Sequence, residues 1–383
     1  MNKCDPAENK RVYLSAPDVG ETERRLLNEA FDSNWIAPLG PFVEQFEKNL
    51  SAHMKGRPVV SLSSGTAAIH LALIRLGVTH GDAVIVQSFT FCATANPIAY
   101  LGAEPIFVGS EGETWNMCPE SLEVAIKALM AKGRRPKAII PVHLYGVPAK
   151  MDAILAVARR YEIAVIEDAA ESLGSTFEAR PTGTFGAFGV LSFNGNKIIT
   201  TSGGGALVCA DMNEYYAVKH LATQARDPAP YYLHSDIGYN YRLSNLCAAV
   251  GVAQLESLPA KVARRRTIRE RYREELSDVM MFAKPCAKSF ENHWLTVATL
   301  NEAVLKKIVP LTLVKMLEQH NVECRPLWKP LHTQPVFAGH QYFGRKEEIN
   351  LFERGVCLPS GSSLTEADQG RVIEAIRGLL QGE

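Results

Sequence analysis

The chain carries no excess of either charge: 41 Lys and Arg stand against 41 Asp and Glu across 383 residues. Without a basic surplus there is little long-range pull on nucleic acid or anionic lipid, so neither is an expected partner. No apolar run approaches the ~18 residues that a membrane helix requires, and the start, Met1-Asn2-Lys3-Cys4, is polar. Neither a membrane span nor a secretory leader is expected. Cysteine is sparse and scattered, at Cys4, Cys92, Cys118, Cys209, Cys247, Cys286, Cys324 and Cys357, with no C-x-x-C pair. That spacing argues against structural zinc, any other metal cluster and a disulfide framework, and it suits a reducing, cytoplasmic setting. There is no internal repeat and no low-complexity tract. Two glycine signatures are missing as well: no P-loop pattern occurs, and no G-x-G-x-x-G follows the early strands, which disfavours nicotinamide chemistry.

What is present is the material of a soluble globular enzyme, 46% hydrophobic and 21% charged. From about residue 57 to 210, short β-branched runs alternate with helical periodicity. Strands are predicted at Pro58–Leu62, Ala83–Val86, Glu104–Val108, Lys137–Val142, Ile163–Ile166, Gly189–Phe193 and Ala206–Cys209. Helices are predicted between them, as at Thr66–Leu76 and Met151–Tyr161. Nearly all-apolar strands alternating with helices predict an α/β fold with a mainly parallel sheet covered on both faces. An extended arm and two short helices are expected before it. Ala253–Leu276 reads as one long basic helix with Lys261, Arg264, Arg265 and Arg266 on a solvated face. Residues 1–255 are assigned to the arm and a large domain, and residues 256–383 to a smaller C-terminal one.

Three stretches carry chemistry. Ser63-Ser64-Gly65-Thr66-Ala67-Ala68 lies between a strand and a helix, where free N–H groups and small residues can form a phosphate cradle; taken alone, a simple Ser/Thr helix cap is the preferred reading. Val165-Ile166-Glu167-Asp168-Ala169-Ala170-Glu171 places carboxylates at the end of an apolar strand, where open α/β sheets bind ligands. An anion there suits a protonated pyridine nitrogen, or simply caps the next segment. Ser192-Phe193-Asn194-Gly195-Asn196-Lys197 puts a single lysine between apolar and glycine-rich flanks. A dry amine is the nucleophile of carbonyl and imine chemistry, whereas a solvated lysine would have no such role. Taken together, an anion cradle, a strand-end carboxylate and a lysine meet the needs of pyridoxal phosphate, and Phe91 is placed to cover a ring face.

These residues resemble the fold-type-I, pyridoxal-phosphate-dependent sugar-nucleotide aminotransferases of the DegT/StrS type. The matching motifs are Ser64–Ala68, Phe89-Thr90-Phe91, Glu167–Ala170, Ser192–Lys197 and Gly238-Tyr239-Asn240-Tyr241-Arg242. The resemblance implies a large, mainly parallel sheet of seven-stranded type with helices on both faces and a smaller C-terminal α/β domain. It implies that Lys197 forms the Schiff base and shuttles the proton, and that Asp168 partners the pyridine nitrogen. Phe91 would stack on the ring, Gly65, Thr66 and Ser192 would hold the phosphate, and Glu171 would lie near the ring hydroxyl, where many relatives carry Gln. Asn240 would reach the phosphate of a neighbouring subunit, making the active unit a homodimer with shared sites.

Within the family, Asn34–Gly40, Asn194–Gly205, Thr223–Arg226 and Arg325–Lys329 resemble the branch that aminates C4 of UDP-2-acetamido-2,6-dideoxy-4-keto-hexose on the way to UDP-N-acetylbacillosamine. L-glutamate is the donor that the family implies. On the sugar-nucleotide side, Asn34, Trp35, Ile36, Ala37, Asn240, Arg242, Arg325, Lys329 and His332 are the candidates. Amination of a dTDP- or GDP-linked 4-keto sugar, or at C3, is the alternative. A dehydratase of the same fold would carry His in place of Lys197, and a non-catalytic regulator would have lost Lys197 or Asp168.

Overall fold

The structure, a computed structural model, describes residues 10–283 and 286–381; Cys4 and the rest of the polar start lie outside them. Seven strands build the large sheet in chain order: β1 (Val59–Leu62), β2 (Ala83–Gln87), β3 (Glu104–Val108), β4 (Ala138–Ile140), β5 (Ala164–Asp168), β6 (Phe188–Ser192) and β7 (Gly205–Val208). An eighth, β8 (Tyr342–Phe343), returns from far down the chain to the edge. The spatial order is β1-β7-β6-β5-β4-β2-β3-β8. All neighbours pair in parallel except those of β7, which runs against both β1 and β6.

Alternation along each strand serves two cores at once. Val84 and Val86 of β2 pack with Ile69 and Leu73 on one face, while Ala83 and Ile85 pack with Leu122, Ile126 and Ile154 on the other. The central helix α1 (Gly65–Arg75) is apolar nearly all round, as befits a helix buried on most sides. The two N-terminal helices, Glu21–Asp32 and Pro41–His53, lie on helix Asn245–Glu256. A second, antiparallel sheet is ordered Met280–Phe282, Thr296–Leu300, Gly355–Leu358, Arg325–Pro326. Helices Pro310–Gln319 and Glu366–Gln381 and the far half of Leu258–Leu276 close its core around Tyr272, Leu300, Leu313 and Val356.

Two expectations are corrected here. The long basic helix is two helices, Asn245–Glu256 and Leu258–Leu276, meeting at 61°. Pro259 stands in the first turn of the second and cannot continue the hydrogen-bond ladder of the first. Its basic residues are also not a solvated face: Lys261 and Arg265 are buried, and Arg264 and Arg266 half-buried. Backbone carbonyls take these cations, Asp18 O for Lys261 and Trp294 O with Ser360 O for Arg265. Among the described residues no single helix is long and apolar enough to cross a membrane.

Because β1, β2, β5 and β6 all point the same way, their carboxyl ends meet along one edge of the sheet. That edge is where an open α/β sheet leaves a crevice.

Candidate active site

At the end of β1 the chain turns through Ser63 and Ser64 into α1. Ser64 is extended, and its Oγ accepts the N–H of Ala67 at 3.0 Å. The helix cap is thus formed by Ser64 itself. Among the described residues no acceptor takes the N–H of Gly65 or Thr66, so these donors stay available at the positive end of the helix. The neighbouring β7 comes very close, since a Cβ on Gly205 would collide with the backbone of Ser64 and Gly65. Ser192, ending β6, sits beside Gly65 and lines the same cavity.

Strand alternation separates the two acidic residues at the end of β5. Glu167 faces away, fully buried, taking the N–H groups of Gly183 and Gly186 and pairing with His143 Nε2 at 3.1 Å. His143 Nδ1 accepts the N–H of Ala149, so the ring proton lies on Nε2 and is donated to Glu167. Asp168 faces the cavity. Thr94 Oγ1 donates to its Oδ2 at 2.7 Å and Ala170 N to its Oδ1 at 3.1 Å, which fixes the carboxylate plane.

Lys197 follows β6 in a turn, with only 13% of its side chain exposed. Its Nζ lies 3.6 Å from Glu171 Oε1 and 4.1 Å from the centre of the Trp294 ring. Glu171 is buried, and its Oε2 accepts the N–H of Tyr145 at 2.7 Å. Burial pushes the Glu171 carboxyl above its ordinary range, with Lys197 pulling the other way. Phe91 stands at the mouth, half-exposed, its ring 5.5 Å from that of Trp328.

Gly65, Thr66, Phe91, Asp168, Glu171, Ser192 and Lys197 thus line one cavity of about 250 Å³. A buried carboxylate with both oxygens pinned, a helix start with spare donors and a sheltered amine fit pyridoxal phosphate. The cavity falls short of the ~300–1,000 Å³ of pockets that enclose a drug-sized ligand, so it suits a cofactor ring, with most of a larger substrate outside. Sequence reasoning missed Thr94, Trp294 and Trp328, all of which line it. One signal was available: the chain has only 4 Trp, and two of them are here.

The sugar-nucleotide candidates do not line the cavity within one chain. Asn34, Trp35, Ile36 and Ala37 form an exposed loop held by its backbone, with Asn245 Nδ2 donating to Trp35 O at 2.7 Å. Gly238–Arg242 is no simple turn. It runs extended between residues 221–225 and the end of β1, with Tyr241 O accepting the N–H of Ser63, and Asn240 is exposed. Arg242 is buried against Glu47 at 2.6 Å. Arg325 pairs with Glu323 at 2.9 Å on the second sheet, and Lys329 is exposed. His332 bonds Ser88 Oγ at 2.6 Å and stacks on Tyr342.

Comparison with known proteins identifies the family. Residues 17–377 match the model of the DegT/DnrJ/EryC1/StrS aminotransferase family. EpsN of Bacillus subtilis, assigned as a pyridoxal phosphate-dependent aminotransferase, is 50% identical over 377 residues, covering 97% of this chain and 96% of its own. GDP-perosamine synthase of Escherichia coli O157:H7 is 35% identical, covering 96% and 98%. The crystal structure of a DegT DnrJ EryC1 StrS aminotransferase from Brucella abortus superposes with a TM-score of 0.87 at 32% identity, covering 95% of this chain and 96% of that one. The chain belongs to the DegT/DnrJ/EryC1/StrS aminotransferase family.

Proposed function

We propose that this aminotransferase uses pyridoxal phosphate to move an amino group from L-glutamate to C4 of a nucleotide-linked 4-keto-6-deoxy sugar, with UDP-2-acetamido-2,6-dideoxy-4-keto-hexose as the leading acceptor. The observation that carries this is the meeting of Lys197, Asp168 and the start of α1 in one cavity. When bound, the cofactor supplies the electron sink that transamination requires.

The chain's own residues do the rest. The N–H groups of Gly65 and Thr66 and the hydroxyl of Ser192 bind the phosphate. Asp168, held by Thr94 and Ala170, accepts the pyridine N–H and keeps that nitrogen cationic. Phe91 covers the open ring face. Lys197 would hold the cofactor through its Nζ, and the same atom would take and return the proton in transamination. Glu171 stands by as the nearest carboxyl to that amine, with one oxygen committed to Tyr145.

The active unit is a homodimer. Among the described residues the cavity is lined by one cation, Lys197, and two carboxylates, so the phosphate of the cofactor and the diphosphate of the substrate call for further positive charge from a second copy. Trp35 and Ile36 are exposed, as are Tyr232 and Ile237 at 80% and 87%. Apolar side chains this bare support cover by a second copy, and the exposed Asn240 is the residue that would enter the partner's site. The unpaired thiols of the described residues suit the cytoplasm.

The resemblance to GDP-perosamine synthase supports a second reading, a GDP-linked acceptor. A panel of UDP-, dTDP- and GDP-4-keto-6-deoxy sugars, with amine product read by mass, tests both. Turnover of the UDP sugar is the expected result; productive turnover of the GDP or dTDP sugar alone would refute that acceptor and leave the aminotransferase chemistry intact.

A further inference from the structure

We propose that Trp294 is the positioning residue of Lys197, fixing both ends of that side chain. Its ring face lies 4.1 Å from the lysine Nζ. Its Nε1–H donates at 2.7 Å to the carbonyl oxygen of Asn196, one residue before the lysine. A lysine stem is long and flexible, and its amine meets an aldehyde productively only over a narrow set of rotamers. A ring face suits this task. It attracts an ammonium and also receives an N–H of the neutral amine, so the lysine can lose its proton without losing its place.

Trp294 is itself held on every side. The ring is buried, and its backbone N–H donates to Asn292 Oδ1 at 2.8 Å. Its carbonyl accepts from the buried Arg265, whose other nitrogen donates to Ser15 Oγ at 3.0 Å. Ser15 Oγ in turn donates to the same Asn196 oxygen at 2.7 Å. Asn292 Nδ2 donates to the backbone oxygens of Glu171 and Leu173. Residues 292–294 therefore bind the segment that carries the carboxyl and the turn that carries the amine.

The inference rests on the assignment of Lys197 as the condensing lysine. Its test is the rate at which the cofactor-free chain captures pyridoxal phosphate, a condensation in which Nζ bonds to the aldehyde carbon and water leaves. The rate is read by visible absorbance and by borohydride trapping with peptide mass mapping. Trp294→Leu should slow trapping at position 197 by about tenfold. Trp294→Phe, which keeps a ring face and loses the N–H, should slow it by about threefold. Leu313→Ala, in the second core, should melt earlier yet trap at the parent rate. Parental rates in both Trp294 variants, or equal slowing in Leu313→Ala, would overturn the proposal; if Trp294→Leu does not fold, Trp294→Phe at an unchanged melting temperature decides. Lys197→Ala separates the two claims. Trapping that persists in that variant refutes the lysine assignment, whereas its loss alongside normal trapping in Trp294→Leu refutes the role of Trp294 alone.

Discussion

Replacing Arg242 with Met discriminates a substrate cation from a structural one. Arg242 Nη1 donates to Glu47 Oε1 at 2.6 Å and to Ser61 O at 3.0 Å, with both charged side chains nearly excluded from water. Glu47 also takes the N–H and hydroxyl of Ser61 and the hydroxyl of Tyr215, so it ties the second N-terminal helix to β1. Removing the guanidinium leaves that carboxylate buried without its cation, a change that costs ~3–5 kcal/mol when one partner of a buried pair is deleted. At roughly 2.1 cal/mol/K of unfolding entropy per residue, or about 0.8 kcal/mol/K for 383 residues, this lowers Tm by about 4–6 °C. Differential scanning calorimetry reads the shift directly, and the double variant Glu47→Gln/Arg242→Met should recover part of it. Below the melting range, KM for the sugar nucleotide should stay within about twofold of the parent. A Tm within about 1 °C of the parent, together with a KM raised about tenfold or more, would refute the structural reading.

Asp168→Asn removes the anion that faces the pyridine nitrogen while keeping the shape of the side chain. The glutamate half-reaction, followed spectrally, should slow by about 10²–10³-fold, the scale of losing one preorganised electrostatic group, with circular dichroism unchanged; a fall below about threefold would remove Asp168 from that role. Glu171→Gln tests the buried carboxyl through pH. Burial raises its pKa in the fold, so its share of stability is full below the ordinary carboxyl range and is lost as pH rises through the raised value. The Tm difference, variant minus parent, should therefore increase from about pH 5 to pH 8, and a flat or falling difference would show that pairing with Lys197 outweighs burial.

The parts of this site that were legible in the sequence are those that the sheet edge builds locally. A strand end followed by Ser64 and Gly65, or by Asp168, carries its own signature, because backbone direction and helix start are set within a few residues. A strand end does not by itself divide Glu167 from Asp168, and the family resemblance is what singles out Asp168. Adjacent residues on a strand face opposite ways, and in the fold the partners of Glu167, at positions 143, 183 and 186, hold it away while Asp168 enters the cavity. Pro259 was a readable break that continuous periodicity obscured. Arg265 and Arg242 read as surface or substrate cations because polar residues are mostly exposed. Their burial depends on Ser15 and Glu47, which lie 250 and 195 positions away. Trp294 meets Asn196 across 98 positions, and no local pattern records such a meeting. The limit is thus one of distance along the chain. Chemistry placed by a strand end is visible in the motif, whereas many of the groups that hold it come from segments far away in the chain, as Ser15, Glu47 and Trp294 do.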